Sequence, residues 1–200
     1  MFCINFISNQ NKNRFEFLKY SLVKACLIIF IFAFEINYLP IHSSKKSDNM
    51  ENNIFSQEMT AELISRIEKL TPQTQANWGK MSVDQMLAHC NVSYEMVYDN
   101  IHPKPNAVMK FILKTMVKNK VVSTVPYKQN SPTAPQFIMK GSKDFDKEKK
   151  RLINYINRTQ QLGADHFEGK ESHSFGKLTA EEWNNMFYKH LNHHLSQFGV

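Results

Sequence analysis

A chain of 200 residues with 42% hydrophobic and 22% charged content has the make-up of one soluble domain with a proper core, and no second domain is required. The formal charge of +7 is moderate. About three units of it fall in the first fifty residues, which leaves too little on the remainder to argue for nucleic acid. Cys3, Cys26 and Cys90 offer no paired spacing of the zinc-ribbon or redox type, so a reducing, cytoplasmic compartment is expected.

Residues 1–49 read as a non-domain segment. Phe, Ile, Asn and Lys dominate it, and no amphipathic period persists. Its apolar run, Ala25 to Phe34, is bracketed by Lys24 and Glu35 and is about half the roughly 20 residues that a spanning helix needs. The stretch before the run contains Glu16, and no small-x-small cleavage site follows Phe34. Three readings stay open: translated upstream sequence with Met50 as the real start, a membrane anchor, or an export signal.

From residue 50 to residue 200 the pattern is helical. Met59, Leu63, Ile64, Ile67 and Leu70 form one apolar stripe that Pro72 stops. Ser82-Val83-Asp84-Gln85 spells a capping box that opens a second helix running to about Tyr98. A shorter segment, Ala107 to Val117, is expected as a third helix bounded by Pro105 and the basic Lys118 to Lys120. Pro126, Pro132 and Pro135 exclude a continuous helix between Val121 and Gly141, which predicts an extended connection, either a lid or site wall or a plain crossover. A long helix follows from about Asp144 to Gln161, with Gly163 past its end. Thr179-Ala180-Glu181-Glu182 opens the last helix, which continues to Phe198 before Gly199.

Chemistry concentrates on that last helix. With His190 as reference, Trp183, Met186, Phe187, His194, Gln197 and Phe198 lie on one face, and Asn185, Tyr188, Lys189, Asn192 and Ser196 lie opposite, with His193 at the edge. Histidines four apart stack one turn over another and can share one ion. His89 shares the inner face of the second helix with Gln85, Met86, Val92, Ser93, Met96 and Val97, and supplies a third imidazole. Three neutral imidazoles suit zinc, nickel and related ions and leave coordination positions open. A single inward histidine is more often a core residue bonded to a carbonyl; the His190/His194 pair with His89 favours metal. Cys90 points away from His89 and reads as core, as do the methionines, whose spacing follows the helix stripes.

Three further stretches carry a resemblance: Trp78-Gly79-Lys80-Met81-Ser82 leading into Gln85-Met86-Leu87-Ala88-His89-Cys90; Pro132-Thr133-Ala134-Pro135; and His173-Ser174-Phe175-Gly176-Lys177-Leu178-Thr179 through His190-Leu191-Asn192-His193-His194-Leu195-Ser196-Gln197-Phe198-Gly199. Over about residues 58 to 200 the chain resembles the DinB-like, YfiT-like superfamily, and within it the DUF1569 family. The resemblance implies an all-α fold, an up-down-down-up four-helix bundle, with His89, His190 and His194 at the positions that hold a divalent ion. It also points to relatives that use low-molecular-weight thiols as co-substrates, an analogy across a fold. Leu191 follows His190 where a hydrolytic zincin would carry a glutamate base, which weakens a protease reading.

Two classes of function follow. One is an enzyme that ionises a thiol or water at the ion and presents it to a small-molecule substrate, as an S-transferase or a hydrolase, with Ser93 and Gln197 orienting the bound group or standing behind the ligands. The other is a non-catalytic protein that binds metal or a small ligand. The reading admits a homodimer.

Overall fold

Each long helix begins at a residue whose side chain or neighbours satisfy backbone N–H groups that a helix leaves free at its start. The Ser56 hydroxyl accepts from Met59 N–H at 3.1 Å, the Asp144 carboxylate from Lys147 N–H at 3.0 Å, and the Thr179 hydroxyl from Glu182 N–H at 3.2 Å. Ser82 and Gln85 form a capping box; in the one at Thr179 the Glu182 carboxylate accepts from Thr179 N–H at 3.0 Å. Such caps are each worth about 1 kcal/mol.

A computed structural model describes residues 52–200. Its helices are α1 (Gln57–Glu68), α2 (Val83–Tyr98), α3 (Ala107–Ile112), a π-helical turn (Leu113–Val117), α4 (Lys118–Val122), a 3-10 turn (Pro135–Phe137), α5 (Phe145–Phe167) and α6 (Ala180–Gln197). The one sheet among the described residues is a two-stranded antiparallel hairpin, β1 (Glu171–Ser172) with β2 (Gly176–Lys177). The protein is thus mostly helical. The readings made for residues 1–49 lie outside the described residues. No helix among the described residues is long and apolar enough to cross a membrane.

Four long helices share one core. α5 packs on α1, α2 and α6, and α6 packs in turn on α1 and α2. Leu63 and Ile67 from α1, Met86 and Leu87 from α2, and Leu152 and Ile156 from α5 are fully buried in it. Trp183 and Phe187 of α6 add a stack of aromatic rings, 5.5 Å apart, which Tyr94 of α2 extends at 4.8 Å from Phe187. Burying each of the large side chains contributes roughly 1.5–3 kcal/mol. Because α2 and α6 are fixed against each other by this stack, the residues one or two turns further along both helices are fixed too.

Three local expectations are corrected. The third helical segment does not stop at Val117; it passes through the π turn and continues to Val122, which is buried. The Thr115 hydroxyl bonds the carbonyls of Phe111 and Ile112 there (3.0 and 3.2 Å), and such back-bonding loosens the α ladder. Gly163 breaks α5 rather than ending it: at φ 71° the chain kinks and then makes one more turn. That turn delivers Phe167 into the core, 5.2 Å from the ring of Phe55 and 5.5 Å from that of Trp183. Lys189, expected on the open side of α6, is buried. The connection folds across it, so that its ammonium lies over the Tyr127 ring at 4.6 Å and donates to the carbonyls of Lys120 and Ser123. Between α5 and α6 the chain forms the hairpin at 171–177, with the backbone N–H of Phe175 held by the Ser172 hydroxyl at 2.8 Å.

Candidate metal centre

α2 and α6 bring His89, His190 and His194 together, with one ligand-capable nitrogen from each lying within 4.8 Å of the others. Their ring centroids form a tight triangle of 5.0, 4.5 and 4.8 Å. His89 and His194 are buried, and His190 is half-buried. The four-residue spacing on α6 sets one side of the triangle, and the packing of α6 on α2 sets the other two.

What surrounds each ring decides which nitrogen is free. The Nδ1 of His89 lies 2.8 Å from the backbone oxygen of Phe137. A carbonyl can only accept, so the hydrogen is on Nδ1 and the Nε2 carries a lone pair. The Nδ1 of His194 lies 2.8 Å from the Gln197 side-chain oxygen. That amide is oriented because its nitrogen donates to the carbonyl of Trp78 at 2.7 Å, so His194 also keeps its hydrogen on Nδ1 and its Nε2 bare. The Nδ1 of His190 faces the Ser93 hydroxyl at 2.9 Å. A hydroxyl rotates and serves either tautomer.

The Nε2 atoms of His89 and His190 are 3.0 Å apart. With a bare Nε2 on His89, only two arrangements satisfy this contact: His190 donates a hydrogen while Ser93 donates to its far side, or both nitrogens present lone pairs to a shared cation. Two imidazole nitrogens on one tetrahedral ion of the zinc type stand about 3.4 Å apart, and such ligands characteristically have the other nitrogen held by an oxygen. The donor set fits a divalent ion on both counts.

Electrostatics keep the rings neutral. Burial pushes His89 below its usual value, against the pull of the Phe137 carbonyl. Burial, then the neighbouring histidines, hold His190 well below. His194 is pushed down to about 3 by burial and by His89. Each ring meets a neutral oxygen rather than a carboxylate, so no anion is present at these contacts to favour a proton.

Of the sequence-derived candidates, Ser93 and Gln197 therefore sit behind the histidine rings, one on His190 and one on His194. His193 stands outside the triangle, edge-on to Trp78 at 6.1 Å and Tyr127 at 5.7 Å. Cys90 lies in the core, its thiol toward the Met86 sulfur at 3.7 Å and pushed far up by burial, so it supplies no thiolate. Leu191 is likewise a core residue.

Two contributors escaped sequence reasoning. The first is Phe137, whose carbonyl orients His89 and whose ring stands 5.1 Å from His89 and 5.8 Å from His190. Pro135 at the start of its 3-10 turn was the one local signal. The connection is held along α2 as well by Gln85, whose amide donates to the Gly141 carbonyl at 3.0 Å, so this stretch walls the site. The second is Gly79, at φ 84°. A Cβ there would come within 2.5 Å of the Gln197 amide nitrogen, so only glycine permits the approach that orients Gln197.

The sequence from residue 51 to residue 199 matches the family model described as a protein of unknown function, DUF1569. No curated protein and no solved structure matches the chain.

Proposed function

The chain belongs to the DUF1569 family, and from that premise we propose that it is a metal-dependent enzyme of the DinB-like four-helix-bundle kind, which transfers a low-molecular-weight thiol to a small electrophilic substrate. One observation carries the reading: three neutral imidazoles converge, two of them fixed with a bare Nε2 by obligate acceptors behind the ring.

His89, His190 and His194 are the residues that would hold a single divalent ion, zinc or nickel being the best suited to an all-imidazole set. The ion would supply Lewis acidity there, which lowers the pKa of a thiol or of water. The protein's own contribution is positional. Phe137, Ser93 and Gln197 hold the three rings, and the Phe137 ring covers His89 and His190, the latter being the least buried residue of the three. No carboxylate partners the triad through these contacts, and Leu191 is turned into the core, so a general base for water is missing from them. A thiol, with a pKa near 8.5, ionises without one.

The test has two stages on the full chain. Metal analysis after dialysis against zinc or nickel is expected to give about one ion per chain. His194→Ala should abolish most of it and His193→Ala little; equal losses would overturn the assignment. Metal-loaded protein is then offered a panel of small thiols with a chloro-dinitroarene, a reaction in which a C–S bond forms, chloride leaves and the thiol proton goes to solvent. Conjugation faster than with His194→Ala supports transfer. Metal-dependent cleavage of esters or amides without conjugation would replace it by a hydrolase, and neither activity by a binding protein.

A further inference from the structure

The segment between α2 and α5 differs in charge and exposure from the rest. From Asn100 to Lys143 the sequence carries eight lysines, at 104, 110, 114, 118, 120, 128, 140 and 143, and neither aspartate nor glutamate. The same stretch holds nearly all the exposed large apolar side chains: among the described residues, every one except Leu162 lies between 101 and 138. Val108 and Phe111 are 71% and 68% exposed, and Ile101 and Val125 are each 64% exposed.

The helices explain why these side chains have no cover. Neither α3 nor the π turn after it contains a buried residue. Val108 and Phe111, three apart, share one face of α3, and Met109 and Met116 are exposed too, so the apolar side of this helix is directed outward. Its inner side is fastened by charge: Lys110 pairs with Glu171 at 2.5 Å, and Lys118 with Glu182 at 2.7 Å. Lys104 and Lys140 are exposed in the same segment, whereas Lys114 lies on the hairpin side with Lys110, its ammonium close to Gly176.

We propose that this segment is a docking face for an anionic lipid surface, with Val108, Phe111 and Met116 entering the interface and the exposed lysines meeting the phosphates. An apolar helix face bordered by lysine is the pattern of interfacial membrane helices, in which burial of the apolar side chains and attraction to anionic headgroups act together and no shaped groove is needed. The complementarity has one sign: every formal charge of the segment is positive. A second copy meeting the same face would bring that charge against itself, which disfavours a symmetric dimer through it. The proposal stands apart from the metal centre.

The experiment is co-sedimentation of the full chain with vesicles of phosphatidylcholine alone and of phosphatidylcholine with equimolar phosphatidylglycerol. Binding is expected to the anionic vesicles and to weaken as salt is raised. Val108→Ser with Phe111→Ser should lower the partition coefficient by about tenfold or more. Lys104→Gln and Lys140→Gln should each lower it roughly fivefold. All four side chains are exposed, so the variants should keep the wild-type circular dichroism, and a metal content equal to wild type serves as a second check on folding. The apolar run Ala25 to Phe34 is present in every variant. Binding that survives all four substitutions would therefore overturn the proposal, as would equal binding to both vesicle types. Concentration-dependent self-association relieved by the apolar pair, without vesicle binding, would overturn it in favour of a second copy of the chain.

Discussion

Two buried polar clusters share helix α2 and differ in how they are completed. Toward α5, Asn91 and Glu95 meet a closed set of charges. Glu95 accepts from Arg151 and faces His102 at 2.7 Å; Arg151 also binds Glu148 at 2.8 Å; Asn91 donates to the same Glu148 carboxylate at 2.8 Å. Toward α6, His89 meets His190 and His194, which bring no opposite charge, and neutral oxygens occupy the outer side of each ring. In the first cluster both carboxylates share the Arg151 guanidinium as their counter-charge, although the buried Asn91 side-chain oxygen has no partner among the described residues. The second brings three neutral rings together with no opposite charge, an arrangement compatible with a bound cation. Burial of polar groups alone does not mark a site; the sign of what is missing does.

The largest way to break the comparison is Arg151→Ala, which leaves Glu95 and Glu148 buried without their cation. The fold should lose about 2–3 kcal/mol in urea denaturation, discounted for the partial exposure of Arg151, while the metal content stays that of wild type. A fall in metal content with it would show that the two clusters act as one. A smaller effect is expected at Ser93→Ala, where the ring of His190 loses its partner: calorimetric titration should give a 10–100-fold weaker affinity for the ion, about 1.4–2.7 kcal/mol. Unchanged affinity would remove Ser93 from the site.

The third comparison is with pH, in metal-free protein. His194 is held at about 3 in the fold against 6.5 in the unfolded chain, so below 6.5 the unfolded state takes up a proton that the folded state refuses. Stability conferred by the neutral ring is therefore fully present above pH 6.5 and is lost as pH falls toward 3. Between pH 7.5 and 5.5 His194 alone accounts for about 1.4 kcal/mol. His89 and His190, both lowered, act in the same direction. Denaturant midpoints across that range measure it; a flat profile would mean that the rings accept protons in the folded state.

How far the sequence reached depended on whether a feature was local. Ser82 with Gln85 and Thr179 with Glu182 lie within one turn, and the helix starts they predict are found. His190 and His194 are on one face because they are four apart, and the inward face of α2 identified His89. The partners that needed two distant segments escaped. Lys189 was placed outside by helical phase, and only the path of the connection past Tyr127 and Ser123 buries it. The Glu95–Arg151–Glu148 cluster depends on how α2 is rotated against α5, which no single-helix pattern specifies. Gly163 carried the right signal, a positive φ, but the aromatic contacts of Phe167 decided that helix resumes after it.

The oxygen that orients His89 belongs to the main chain of Phe137, and every residue type carries one. As far as that hydrogen bond is concerned, inheritance can therefore vary the letter at position 137 freely. What descent must preserve is the count of residues between the turn at Pro135 and the anchorage of Gly141 on Gln85, since one insertion or deletion there would move the carbonyl off the ring. Among relatives of this chain the expected mark of that oxygen is a fixed spacing rather than a fixed residue.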